Sequence, residues 1–570
     1  MAQDECHLLR LSTELIYQIL DYSPPTACFN LAITCASLHL QCLGLLDLHR
    51  EAYSKYRITS DLSPETVIDL LQNTTKARIE RWHVRELEIW GSRNGWDDWR
   101  PWVPELPGTC GLADGLPTRH GLLLQDIERY IHTALELWTF PRLNESETES
   151  EIDTIEYDLM TGQDGFLKLL LIATCPRLHS LRFAKKVRNF HTALSWMTYV
   201  INKDSAYTGN WPPGFESLRN IAVGIETDQR LDDESVDPKA RDFAALFHIP
   251  NLESLYFNDL IYTTDGEANY LHSDVVDQYG FPRGTSSVKH LFIDGASEFS
   301  ADYSQAIPNA SKRLESVVLR VAGEHQQEID DVDVFAGSLS FSNGKTLQKL
   351  ILYNPRGMYA DYRLDDLEDF GNLKLFTLKV SAMMLGELYR MHSSPNAEQL
   401  AEYVSGSFPA STEALYIWGR LYEHVDDIPS DILDSTLAAL IESGVLENLK
   451  VVYLTNVEKR QAQNDTDFPP RRSIDAGLKE LLLPKSVAAG LKTGVHVCTV
   501  MNRDDGGYWK NFPARPDRFD LKTFPWYGER PASWRLDLQS GEWGPDCEGC
   551  GECTDCLAVY PAELWKSGRP

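Results

Sequence analysis

Four cysteines near the carboxyl end, Cys547, Cys550, Cys553 and Cys556, stand three apart in PDCEGCGECTDC. Zinc takes four thiolates tetrahedrally, and a two-residue spacer lets neighbouring sulfurs converge on one ion. Gly549 and Gly551 permit the tight turns this needs. Structural zinc sites usually separate two such pairs by a longer loop, whereas these four crowd together. The bacterial ferredoxin run closes with a three-residue spacer and a proline, and both are missing here. Asp546, Glu548, Glu552 and Asp555 draw in a cation but also raise thiol pKa values, so they favour neither outcome. Structural zinc, an iron–sulfur centre and free thiols in a flexible tail all remain open, with zinc ahead of iron–sulfur. Elsewhere there is no G-x-G-x-x-G, phosphate loop, H-E-x-x-H or G-x-S-x-G, so a noncatalytic protein is expected.

Charge narrows the partners. The chain has 54 basic and 84 acidic side chains, net −30, which argues against nucleic acid or an anionic membrane as the main partner. A protein partner with a basic surface fits better. The start, MAQDECHLLR, lacks a basic n-region and a long apolar run, and Leu167–Thr174 is far too short to span a bilayer. The eleven cysteines are then expected to stay reduced, in the cytoplasm, the nucleus or both.

Positioning begins with the first fifty residues, which read as short helices. Leu11, Leu15, Ile16, Ile19 and Leu20 recur at helical spacing, and Ser23-Pro24-Pro25-Thr26 breaks the chain. Phe29, Leu31, Ala32, Cys35, Leu38 and Leu43 form a second apolar set. So small a set of helices gains from burial against a partner. Leu11-Ser12, Glu14 and Ile19-Leu20, followed by Leu31, Cys35 and Leu38, give this segment its resemblance to an F-box. Ser12 stands where proline is usual, yet its hydroxyl can cap the helix, and the late tryptophan is replaced by a region around His39. The resemblance implies docking onto the Skp-type adaptor of a cullin–RING ubiquitin ligase. It assigns adaptor contact to Leu11, Ser12, Glu14, Leu15, Ile19, Leu20, Leu31, Cys35 and Leu38. An amphipathic hairpin packed on the rest of the chain is the plain alternative.

A different pattern fills the middle. Apolar residues at i, i+3 and i+5 recur in nine copies, from Leu178/Leu181/Phe183 to Leu449/Val452/Leu454, with an outlier at Val84/Leu87/Ile89. The last two positions of each copy share one face of a strand. Helical stretches such as Phe166–Ala173, Asp242–Phe247 and Ile432–Ile441 precede several copies. Helix, turn and strand in series resemble a leucine-rich repeat, and CPRLHSLRF resembles repeats of F-box proteins in filamentous fungi. Ser180, Arg182, Asn220, His290 and Lys349 interrupt the strands, predicting a face that meets water, in contrast to a generic α/β domain.

The expected fold is α/β: an all-helical F-box over 6–50, a linker helix over 51–80, a leucine-rich-repeat-like solenoid with a mainly parallel curved sheet over 81–500, and an extension over 501–570 carrying the cysteines. Ser63-Pro64-Glu65 should start the linker helix. Acidic runs at 226–237, 324–333, 361–369 and 423–431 predict either a negative rim or solvated loops. Asn144–Asp158, without a basic residue, predicts a disordered insertion. Trp82, Trp90, Trp96, Trp99 and Trp102 are expected to plug the solenoid's open end, and Cys28, Cys35 and Cys42 to be buried thiols on one face. The function this implies is a substrate receptor that brings an unidentified protein to the ligase. A non-ubiquitin interaction scaffold and a metal or redox protein are the alternatives.

Overall fold

The computed structural model describes residues 7–61, 64–90, 122–138, 145–184, 191–204, 210–225, 240–258, 260, 280–296, 301–321, 331–353, 370–381, 396–418, 430–455, 484–500, 534–536 and 543–545, with isolated exceptions inside these spans. The chain forms two compact units, residues 1–255 and residues 256 onward, apart from an exchange at 517–519.

The first unit opens with α1 (Thr13–Asp21), α2 (Thr26–Ala32) and α3 (Ala36–Tyr56). Ser12 has extended backbone and its hydroxyl accepts from Leu15 N at 3.4 Å, so it caps α1 in place of proline. Helix α3 continues past residue 50, where the module was expected to end. Nothing from Leu45 to Tyr56 breaks a helix, and Ala52 and Tyr56 are buried. There follow β1 (Ile58–Ser60), α4 (Pro64–Leu70) and α5 (Thr75–His83). Helix α4 starts at Pro64 with Glu65 in its first turn, and it buries Val67, Ile68 and Leu70.

Beyond α5 the unit adds β2 (Glu86–Ile89), β3 (Ser180–Ala184), β4 (Asn220–Ile225) and β5 (Ser254–Asn258), lying in the order β1-β2-β3-β4-β5. Pairing from β1 to β4 is parallel, with Leu87, Leu181 and Ile221 in register. The second unit repeats the arrangement. Its β6 (His290–Ala296), β7 (Ser316–Val321), β8 (Lys349–Tyr353) and β9 (Leu375–Leu378) are parallel neighbours in chain order. So are β10 (Val380–Ser381), β11 (Ala414–Trp418), β12 (Val451–Thr455) and β13 (His496–Val500).

Each of the nine sequence copies coincides with a strand, and Leu178, Leu181, Leu255, Val288, Leu314 and Leu350 are all buried. Helices Gly165–Thr174, Ala240–Leu246 and Ser430–Ser443 occupy the stretches expected to be helical. One backbone device recurs: the residue before a strand accepts two amides from the next repeat. Arg57 O takes Arg85 N and Glu86 N, Arg85 O takes His179 N and Ser180 N, and His179 O takes Arg219 N and Asn220 N. Strand β2 matches the outlier at Val84/Leu87/Ile89, and β1, β10 and β13 match no copy.

Three expectations are corrected. Ser180, Arg182, His290 and Lys349 are buried and Asn220 is half-buried, so the strand face they occupy does not lie open to water there. Parallel strands are commonly covered on both faces, and buried charge survives by pairing. Nearby, Lys168 Nζ lies 2.6 Å from Asp61 and 3.0 Å from Asp164, all three buried, while Asp61 also accepts from Trp90 N. The acidic segment is a helix, Glu145–Thr161, because it contains no breaker and Ile155 and Leu159 bury one stripe. Finally, of the three thiols expected to be buried on one face, Cys28 in α2 and Cys42 in α3 are buried together and hydrogen-bonded, whereas Cys35, at the start of α3, is only half-buried.

Candidate docking surface on the helical module

The three-helix module closes its own small core from Ile16, Leu20, Cys28, Ala32, Leu38 and Cys42. Burial, then Cys42, pushes the Cys28 thiol up to about 12, so it stays protonated and inert. Tyr17 Oη donates to Gln41 O at 2.8 Å and ties α1 to α3.

With that core satisfied, apolar side chains are left over. Leu15, Ile19 and Tyr22 are 46%, 45% and 91% exposed, and their i, i+4, i+7 spacing lines them along one stripe of α1. Leu40 and Leu43, a turn apart on α3, and Ile33, just past α2, are exposed as well. Ile16 and Leu20 form the neighbouring stripe that faces inward, which is why α1 is apolar on two sides.

The residues expected to dock therefore separate into two groups. Leu15 and Ile19 are exposed, Ser12 and Glu14 are exposed at the helix start, and Leu11, Leu31 and Cys35 are half-buried. Leu20 and Leu38 belong to the module's own core, so changing them tests folding and not docking. The Ser12 hydroxyl holds the Glu14 carboxyl below its ordinary value. Tyr22, Ile33 and Leu40 were not singled out from sequence. The i+7 step from Leu15 is the signal that finds Tyr22.

The module is fastened to the body by rings. Phe29 lies 4.5 Å from His49 and 5.6 Å from Trp82, centroid to centroid. His49 Nδ1 and His83 Nε2 are 2.9 Å apart and both side chains are buried. Burial lowers the pKa of each, and burial followed by the His49 charge brings His83 to about 4. Arg78 donates to Asp21 O, joining α5 to the end of α1. Trp90 is buried, with its indole N–H donating to Glu88. Trp96, Trp99, Trp102, the acidic runs (except 331–333 and 430–431) and Cys547, Cys550, Cys553 and Cys556 lie outside the described residues. Among the described residues, no group of three or more His, Cys, Asp or Glu is placed to hold a metal. Nor, among them, is any helix long and apolar enough to cross a membrane.

No protein-family model matches the chain, and no curated protein matches it.

Proposed function

We propose that the chain is a noncatalytic substrate receptor of an SCF-type ubiquitin ligase. Its F-box-like module docks a Skp-type adaptor, and its leucine-rich-repeat-like body holds the target protein. The single observation that carries this reading is the apolar surplus on a module whose own core is closed: Leu15, Ile19 and Tyr22 in one exposed stripe. Contiguous exposed apolar surface on a soluble protein marks an interaction site. The F-box resemblance of the same segment names the partner, and the serial parallel strands supply a platform of the repeat type. The chemistry would come from the ligase partners, with proximity the contribution of this chain.

Ile19→Asp is the test, because Ile19 is exposed and its change spares the core. Burying an unpaired carboxylate at an interface costs several kcal/mol, so adaptor co-purification should fall at least about tenfold. Helical content should be unchanged by circular dichroism. Full retention of adaptor by this variant would overturn the reading.

A further inference from the structure

The recurring backbone device stacks the residues that precede successive strands. In the first unit those residues are Arg57, Arg85, His179 and Arg219, each linked to the next by the paired amide bonds at its carbonyl. Neighbouring strands are about 4.8 Å apart, so these basic side chains form a row along the amino-terminal edge of the sheet. Arg177, just before β3, adds a further cation.

Two of these cations lie against one indole. The Arg177 guanidinium sits 4.2 Å from the Trp82 ring centroid and that of Arg85 sits 5.6 Å from it. Arg85 Nη1 is fixed by the carbonyls of Trp82 and Val84, at 2.7 and 3.0 Å. Arg57 lies 5.9 Å from the ring of Tyr53, which is itself about half exposed. Arg177 and Arg57 are exposed. The groups acting on Arg85 are Arg177, Tyr53 and Cys175, with no carboxylate among them, and burial followed by Arg177 lowers Arg85 to about 10. Glu86, directly after Arg85, and Glu253, farther along the row, both act on His179, so the unpaired charge is centred on Arg57, Arg85 and Arg177.

Among the described residues, no carboxylate forms an ion pair with Arg57, Arg85 or Arg177. Holding like charges together unneutralised is unfavourable, and guanidinium forks pair bidentately with anionic oxygens. We propose that this edge binds an acidic, carboxylate-rich peptide segment of a partner protein. Arg85 and Arg177 pair with carboxylates beside Trp82, and the half-exposed Tyr53 packs the side-chain stems. A row across several strands suits an extended polyanion better than a small ion. Phe29 stacks on Trp82 and Arg177 lies against the same ring, which leaves little indole face for a nucleic-acid base to stack on. This inference is independent of adaptor docking, since Leu15, Ile19 and Tyr22 play no part in it.

The test uses the full chain and a fluorescein-labelled poly-glutamate peptide, followed by anisotropy, with poly-lysine and oligouridylate as comparison probes. Poly-glutamate should bind in a salt-sensitive manner and poly-lysine should not bind at this edge. Arg177→Glu should weaken poly-glutamate binding at least about tenfold, and Arg177→Lys should retain much of it. Lys492→Glu, in the other unit, should leave binding unchanged. Arg85 is partly buried, so Arg85→Glu counts only if the variant melts like the parent. Exposed Arg177→Glu decides the matter by itself. Absence of poly-glutamate binding at low salt, undiminished binding by Arg177→Glu, or tighter binding of oligouridylate would each overturn the proposal.

Discussion

At the scale of single residues, the most consequential contact is the buried His49–His83 pair. One ring nitrogen must donate and the other accept across their 2.9 Å separation, so the two nitrogens cannot both be protonated there. His83 ordinarily titrates near 6.5 and in the fold near 4. A histidine lowered in this way binds fewer protons folded than unfolded, so its contribution to stability is full above about 6.5 and is lost as pH falls toward about 4. His49 shifts in the same direction. His83→Gln, which can still donate and accept but cannot titrate, should lose less stability than the parent over this window. Thermal melts of both proteins at a series of pH values give the comparison. Curves that run parallel in pH would mean that the pair is not responsible for acid sensitivity at the junction. The fastening matters for function because Phe29 and His49 belong to the docking module while Trp82 and His83 belong to the body.

At the scale of elements, helices pack so closely that one missing methyl is required. Gly214, in the short helix Pro213–Ser217, faces the backbone of helix Gly165–Thr174, and a Cβ there would lie 1.8 Å from Ile172 O. Backbone cannot swing aside as a flexible side chain can, so Gly214→Ala must separate the two helices. The expected destabilisation is about 1–3 kcal/mol or more by urea unfolding. Gly337, inside helix Asp331–Asn343, is the matched control: a Cβ there meets no atom within 4 Å. Gly337→Ala should be neutral or stabilising by up to about 1 kcal/mol, since alanine favours the helix. Equal effects at the two sites would refute the close-approach argument.

At the scale of the whole molecule, the module keeps its own core and is joined to the body of the first unit by the ring cluster. Removing residues 1–50 would cut α3 in its middle, delete Phe29 and His49, and uncover Trp82 and His83. The truncated chain should melt at a lower temperature than the parent, whereas Ile19→Asp should melt unchanged. Differential scanning calorimetry of the three proteins makes this measurable. A truncation as stable as the parent would show that the ring cluster contributes nothing. For capturing substrates with and without adaptor, the point variant is therefore the cleaner control.

The repeat was legible before any fold was known. Apolar residues at i, i+3 and i+5 mark every strand from β3 to β9, and also β11 and β12, because a buried strand face must be apolar whatever surrounds it. Also legible were the break at Ser23-Pro24-Pro25, the cap at Ser12 and the start of α4 at Pro64, all local chemistry. Periodicity could not say which of two adjacent apolar stripes on α1 faces inward, since Ile16/Leu20 and Leu15/Ile19 look alike until α2 and α3 cover one of them. Nor could it foresee that Arg182 and Lys349 would be buried, because burial of a charge depends on partners far along the chain. The row of Arg57, Arg85, His179 and Arg219 was equally hidden. Those residues are dispersed in sequence and become neighbours only when parallel pairing sets consecutive strands side by side.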